Sequence, residues 1–342
     1  MTDAAIAPHI VRPGFAQRVQ GWLPVLLVPI IALAGLGLIG TPTTWLTLTA
    51  AGLAMGMMIF LMASGLTIVF GLMDVINFGH GAFISVGAFI GASVLVGLAG
   101  WTVAPSAALN IAALALALLV AMLATGALGW LFERVIVRPV YGFHLKQILV
   151  TMGGLIIAQQ LILVIWGPDA ITLSRPEVLK GSMVIGGALV ETYRLLAAGV
   201  GLAVFIGMKV VLTRTRIGLL VQAGVENGEM VEALGYRIRR LFVAVFMAGS
   251  ALAGAGGVMW ALYQETITAN LGSEIMILVF IVVIIGGLGS IEGCFIGALL
   301  VGLMANYTAF LAPKVALISN IGLMVLVLMW RPQGLYAVVK AK

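Results

Sequence analysis

The sequence predicts an all-α integral membrane protein, a polytopic bundle of about 8–10 transmembrane helices, on three observations. Of its 342 residues, 62% are hydrophobic and 9% are charged, whereas a soluble domain carries about 25% charged residues. Folded in water, such a chain would expose far too much apolar surface. Its apolar residues also fall in runs close to the ~20 residues that a helix needs to cross the hydrocarbon core. Finally, its lysines and arginines segregate by loop, as topology in a bilayer requires.

The elements follow in order. Residues 1–21 are mixed, carry Arg12 and Arg18, and read as a cytoplasmic N-terminal tail. The apolar run Trp22 to Gly40 comes next; Ala32-Leu33-Ala34 imitates a signal cleavage site, but the run is long for a signal core and reads as a retained helix. Further apolar segments lie at 43–72, 82–100, 104–132, 148–166, 195–213, 241–262, 274–287, 293–311 and 315–330. The segment at 274–287 is too short to cross straight. Residues 22–330 thus form one transmembrane domain, and 331–342 a short cytoplasmic tail.

With the N-terminus cytoplasmic, 14 basic residues fall inside: Arg12, Arg18, Arg134, Arg138, Lys146, Lys209, Arg214, Arg216, Arg237, Arg239, Arg240, Arg331, Lys340 and Lys342. Only Arg175, Lys180, Arg194 and Lys314 fall outside. This bias predicts that both termini are cytoplasmic. It also accounts for the +6 net charge without invoking nucleic acid.

The alternation holds only if the chain turns back, or breaks inside the membrane, near 74–83 and 286–295. "DVINFGHGAF" (Asp74 to Phe83) is polar and rich in glycine. Unwound backbone is tolerated at membrane depth only where protein buries it or water lines it. Gly71, Gly79 and Gly81 are expected to permit the break. Asn77, Phe78 and His80 would then brace the freed backbone or meet a polar solute. An ordinary solvated loop explains the same residues. "GGLGSIEG" (Gly286 to Gly293) has the same character in the second half, with Gly287, Gly289 and Ser290 as counterparts. "HGAFI" echoes "EGCFI" at a separation of 212 residues (His80 to Glu292), which points to an internal two-fold repeat; paired broken segments mark the pathway in many transporters. Gly249, Ala253 and Gly257, four apart, predict a tight helix–helix seam.

The longest basic stretch runs from Arg214 to Arg240. Within it Glu226, Glu229 and Glu232 recur every three residues, along one side of a short helix. Ala233 follows, and Gly235 is placed to end the helix. Such a face suits docking of a partner and equally suits a solvated loop. Catalysis finds no support: there is one cysteine, Cys294, and three histidines, His9, His80 and His144, with no metal-ligand spacing. No phosphate-binding G-x-x-x-x-G-K-[ST] loop is present. A coupling-ion transporter would carry intramembrane acids, but Asp74, Glu265, Glu274 and Glu292 all lie near predicted ends or breaks.

The stretch "GLTIVFGLMDVINFGHGAFISVGAF" resembles the signature region of LivH-type permeases of branched-chain amino-acid ABC importers. "ENGEMVEALGYRIRRL" is similar to that family's coupling segment, and "IGGLGSIEGCFIGALLVGL" and "RPQGLY" also resemble it. The resemblance runs from about residue 50 to the C-terminus. It implies a bacterial inner-membrane permease subunit without cofactor or metal, paired with a second related permease, two ATP-binding subunits and a periplasmic solute-binding protein. It places ATPase coupling at Glu226, Glu229, Glu232, Ala233 and Gly235. Many members carry a carboxylate where Ala82 stands. The resemblance therefore leaves the solute open among branched-chain amino acids, urea, short amides and small carboxylic or aromatic acids.

Overall fold

A computed structural model describes residues 15–226 and 228–336. The chain is helical almost throughout. α1 (Phe15–Ile39), α2 (Pro42–Met73) and α3 (His80–Gly97) are followed by the short α4 (Ala99–Thr102). α5 (Ala107–Phe132) runs on through a π-helical turn, Glu133–Val137, and a 3-10 turn, Arg138–Val140, into α6 (His144–Trp166). Two small strand pairs decorate one end: β1 (Ile171–Thr172), and the hairpin of β2 (Ser182–Ile185) with β3 (Ala188–Glu191). α7 (Thr192–Arg214), α8 (Arg216–Glu226), α9 (Gly228–Ala233) and α10 (Ile238–Gln264) follow. β4 (Thr266–Ile267), which pairs antiparallel with β1, leads to α11 (Leu271–Gly286), α12 (Ile291–Leu311) and α13 (Ala316–Trp330).

Among the described residues, seven helices are long and apolar enough to cross a membrane: α2, α3, α5 with its extension, α6, α7, α10 and α12. Three shorter apolar helices, Leu23–Ile39, Leu271–Gly286 and Ile318–Trp330, bring the bundle to the predicted size. α11, at 16 residues, is about 24 Å long and short of the ~30 Å core, as its sequence predicted.

α10 is the central helix, and small residues are the reason. In lipid no hydrophobic force drives helices together, so close backbone approach must supply the packing. Gly249 and Gly256 of α10 lie on α2, facing Gly65 and Met62. Gly254 and Gly257 lie on α3, at Gly87 and Ile84. Ser250 lies on Gly129 of α5. The predicted seam is therefore two seams, back to back on one helix. A similar seam joins α2 to α12: a Cβ on Gly56 would lie 2.6 Å from the carbonyl oxygen of Ala298. Phe60, Phe205 and Phe295 fill the space between α2, α7 and α12, with the last two rings stacked at 3.9 Å.

The breaks differ in detail from the expectation. Helix α2 persists through Gly71 to Met73, so Gly71 does not open the break; it abuts Gly289, whose Cα would lie 2.8 Å from an added Cβ. Nor do Gly79 and Gly81 supply left-handed backbone: Gly79 has φ −66°, and Gly81 lies in the first turn of α3. The left-handed residue is Asp74, with φ 53°. Aspartate visits this region more readily than most residues because its side chain is short and polar. The only other non-glycine residue with positive φ among those described is Glu265, at 56°.

That pair reveals the repeat. At a shift of 191 residues (74 to 265), a helix end at Met73 recurs at Gln264, and a helix start at His80 recurs at Leu271. The cap bond from Asp74 N–H to the Phe70 carbonyl recurs from Glu265 N–H to Ala261. Gly81 recurs at Gly272, and these two glycines touch each other. The paired helices α2 and α10 run antiparallel, since Gly65 meets Gly249 while Met62 meets Gly256. The halves thus repeat in inverted sense. The chain does turn at 287–290, but the counterpart of 74–79 is 265–270, and the 212-residue echo is not the register of the repeat.

Candidate functional site

The stretch after α2 is re-entrant, and simple lengths establish it. His80 Nε2 lies 2.8 Å from the carbonyl oxygen of Met62. Met62 is eleven residues before the end of α2 at Met73, or about 16 Å up the helix. Residues 74–79 can span about 20 Å when extended. Phe78 N–H donates to Thr151 Oγ1 at 3.2 Å, and Thr151 lies seven residues, about 10 Å, into α6. The chain therefore climbs back between the helices and restarts as α3 near the middle of the bundle.

The side chains of this segment have distinct fates. His80 is buried and braces α2 at Met62. Phe78 packs on Phe280 of α11, with ring centroids 4.7 Å apart. Gly79 is crowded by the Phe132 ring and by Asn77 Oδ1, which would lie 3.0 Å from a Cβ there. Gly81 meets the Gly272 backbone. Asn77 is the exception. It is 1% exposed, yet neither its amide nitrogen nor its oxygen has a protein partner. An asparagine offers two donors and two lone pairs, and leaving them buried and unpaired costs about 1–3 kcal/mol.

The counterpart segment, 265–271, closes the other end of the same seam. Ser85 Oγ donates to the Ala269 carbonyl at 3.3 Å and accepts from Gly272 N–H at 2.8 Å, tying α3 to the start of α11. Arg175 fixes the left-handed corner. Its guanidinium pairs with Glu191 at 2.8 Å and Glu265 at 3.0 Å, and donates to the carbonyls of Leu262 and Tyr263. It also covers the Tyr193 ring, whose hydroxyl donates to the Met259 carbonyl. Sequence reasoning missed this segment. Between Asp74–Gly81 and Glu265–Gly272 only an isoleucine and the final glycine are identical, too little to find without the backbone angles.

The turn 287–290 has a different character. Gly287 and Gly289 have positive φ, and Ser290 Oγ caps α12 by accepting from Gly293 N–H at 3.1 Å. The C-terminal stretch folds over it: Leu335 and Tyr336 donate their amides to the carbonyls of Ile285 and Gly286. Gly287, Gly289 and Ser290 therefore form a capping corner beneath the tail, at the end of α11 opposite the Gly81–Gly272 contact.

On the same end of the bundle lies the predicted docking stretch. Glu226 closes α8, and Glu229 and Glu232 lie in α9; residue 227 and the side chains of Glu226 and Glu229 fall outside the described residues. Ala233 ends α9 and Gly235, at φ 86°, terminates it as expected. Glu232 is exposed and lines a cleft of about 570 Å³ with Arg134, Arg138, Tyr141 and Arg239. Beside it Glu133 is buried and accepts from Tyr141 Oη at 2.5 Å. Burial, then the Glu133 carboxylate, pushes the Tyr141 phenol well above its ordinary pKa, so it stays a donor.

Residues 48–329 match the family model described as the permease component of the branched-chain amino acid transport system. The chain belongs to this permease family. It is similar to the high-affinity branched-chain amino acid transport permease protein BraD of Pseudomonas aeruginosa, with 29% identity over 293 residues, covering 83% of this chain and 93% of that protein. It is similar to LivH of Escherichia coli, with 26% identity over 297 residues, 83% of this chain and 92% of that one. A shorter stretch of 90 residues, 26% of each chain, is 32% identical to a probable branched-chain amino acid transport permease protein, LivM, of Methanocaldococcus jannaschii. No solved structure matches. This permease is thus a multi-pass membrane transport protein rather than an enzyme, and among its described residues no cluster of His, Cys, Asp and Glu could hold a metal.

Proposed function

We propose that this permease forms the translocation pathway of an ABC importer, carrying a branched-chain amino acid or a related small polar solute. The family match across residues 48–329 carries the reading. BraD and LivH bear names that specify branched-chain amino acids, which makes leucine, isoleucine and valine the first solutes to test. A second reading, a neutral solute such as urea or a short amide, is favoured by Ala82 and by the uncharged, unpartnered amide of Asn77. The working assembly comprises this chain, a second related permease, two ATP-binding subunits and a periplasmic solute-binding protein. It sits in the inner membrane with both termini and the 214–240 loop cytoplasmic, as the 14-to-4 distribution of basic residues supports.

Asn77, in this mechanism, meets the solute, while His80, Phe78, Gly79 and Gly81 hold the re-entrant backbone in place. Closure of the ATP-binding subunits acts on α8 and α9, which lie between α7 and α10. Because α10 packs directly on α2 and α3, a tilt of α10 displaces the seam where Gly81 meets Gly272. Rocking of one inverted half against the other then alternates access.

Two measurements test this. The chain, co-expressed with candidate ATP-binding and second permease subunits and reconstituted in vesicles, should take up labelled leucine only with ATP and binding protein. Uptake of urea or acetamide instead would select the second reading, and ATP-independent uptake would overturn both. Cysteines at Arg216 and Lys180 should react with a membrane-impermeant reagent from opposite sides, Lys180 from outside. The native Cys294 is buried and does not interfere.

A further inference from the structure

The arginines at the basic end of the bundle are more than a topology signal. Arg134 and Arg138, on the extension of α5, face Arg239 and Arg240, at the start of α10, across a cleft of about 440 Å³. Glu133 and Trp130 also line it. Among the described residues none of these four guanidinium groups makes an ion pair, although five such pairs occur elsewhere. Two carboxylates cannot neutralise four guanidinium groups: Glu133 is buried and already engaged by Tyr141, and Glu232, in the adjoining cleft with Arg134, Arg138 and Arg239, is exposed. The cleft therefore keeps a net positive charge, and it presents several planar donor forks of the kind that bind phosphate bidentately.

Its surroundings say which phosphate reaches it. Trp130 is 43% exposed, and Arg134 lies over its ring with 5.6 Å to the centroid. Leu131 and Val135, their neighbours on the outer surface, are 49% and 61% exposed. An exposed apolar flank, a tryptophan and arginines at a helix end mark the level of the headgroups. The cleft thus opens sideways at the bilayer surface, where the abundant anion is a phosphodiester on two acyl chains. Basic pockets between transmembrane helices bind such headgroups elsewhere.

We propose that Arg134, Arg138, Arg239 and Arg240 bind the headgroup of an anionic phospholipid, bridging the end of α5 to the start of α10. Since α10 is the helix on which both seams pack, the lipid would pin the central helix at the end next to α9.

The purified full chain in mild detergent tests this, with dioleoyl phosphatidylglycerol as probe, dioleoyl phosphatidylcholine as the zwitterionic comparison, and native mass spectrometry with thermal unfolding as readouts. Phosphatidylglycerol should be retained and raise the unfolding temperature, and phosphatidylcholine should not. Neutralising one exposed arginine on each helix, Arg134→Gln with Arg239→Gln, should weaken retention roughly thirty-fold, at about fivefold per basic residue. Arg134→Lys with Arg239→Lys keeps the charge and should recover most of the binding, which separates loss of the site from loss of the fold. Lys180→Gln, at the opposite end, should change nothing. Equal retention of the two lipids, or undiminished phosphatidylglycerol binding in the glutamine pair, overturns the proposal. So does displacement of the lipid by millimolar inorganic phosphate, which would mark a free-anion site. Loss of ATPase co-purification in the glutamine pair with lipid binding intact would make the cleft a protein interface and overturn it equally.

Discussion

Gly81→Ala should destabilise the permease by about 1–3 kcal/mol, the range for overpacking a filled contact. The added Cβ would sit 2.8 Å from the Gly272 carbonyl oxygen and 3.1 Å from its carbon, where unstrained carbon contacts lie at about 3.5–4.0 Å. The obstacle is backbone, so no side-chain rotation relieves it. Moving the start of α11 would strain the Ser85 bonds to Ala269 and Gly272, at 3.3 and 2.8 Å. Gly81→Val should cost more and should abolish uptake. Gly153→Ala is the control. It lies in α6 with nothing within 4 Å of its Cβ, and alanine gains up to about 1 kcal/mol of helix propensity over glycine. The two alanine variants should therefore differ by roughly 2–4 kcal/mol. Reversible unfolding of the purified chain by dodecyl sulfate titration in lipid–detergent micelles measures this. If Gly81→Ala unfolds at the same midpoint as Gly153→Ala, the Gly81–Gly272 contact is not the tight crossing of the two halves.

Asn77→Leu should leave stability unchanged or raise it by about 1 kcal/mol, because an unpaired buried amide is removed, while blocking uptake; wild-type uptake would refute a solute role for Asn77. Arg175→Lys should not rescue what Arg175→Gln loses, about 1–3 kcal/mol in unfolding, because an ammonium cannot reach two carboxylates and two carbonyls in one plane; full rescue would show that charge alone matters there. Glu229→Lys with Glu232→Lys should reduce co-purification of the ATP-binding subunits and transport-coupled hydrolysis, since Glu232 is the exposed acid in a cleft of arginines; unchanged subunit yield and uptake would leave this face merely solvated.

The sequence by itself determined the solvent, the class and the outline. Composition required lipid, run lengths set the apolar helices to within a few residues except for the start of α1, which lies at Phe15 rather than Trp22, and α11 was recognisably short. The motif around Asp74 to Phe83 carried the family. Small residues four apart on α10 announced close helix packing, because helix spacing brings them near one another on the surface, but not that Gly249 would meet α2 and Gly257 α3. These properties are local or additive along the chain. Only the tertiary structure decided where the chain re-enters. Gly71, Gly79 and Gly81 looked like the hinge, yet the left-handed corner is Asp74, and the glycines are needed for contacts with Gly289, Phe132 and Gly272. The matching corner at Glu265 was invisible because backbone angle, not residue identity, repeats there. Its clamp, Arg175, is 90 residues away in the chain (175 to 265) and close only after folding. The unpartnered state of Asn77 and the cleft of arginines were equally illegible in the sequence. A sequence shows which groups can bond, but burial and the absence of a partner arise only once every other segment has taken its place.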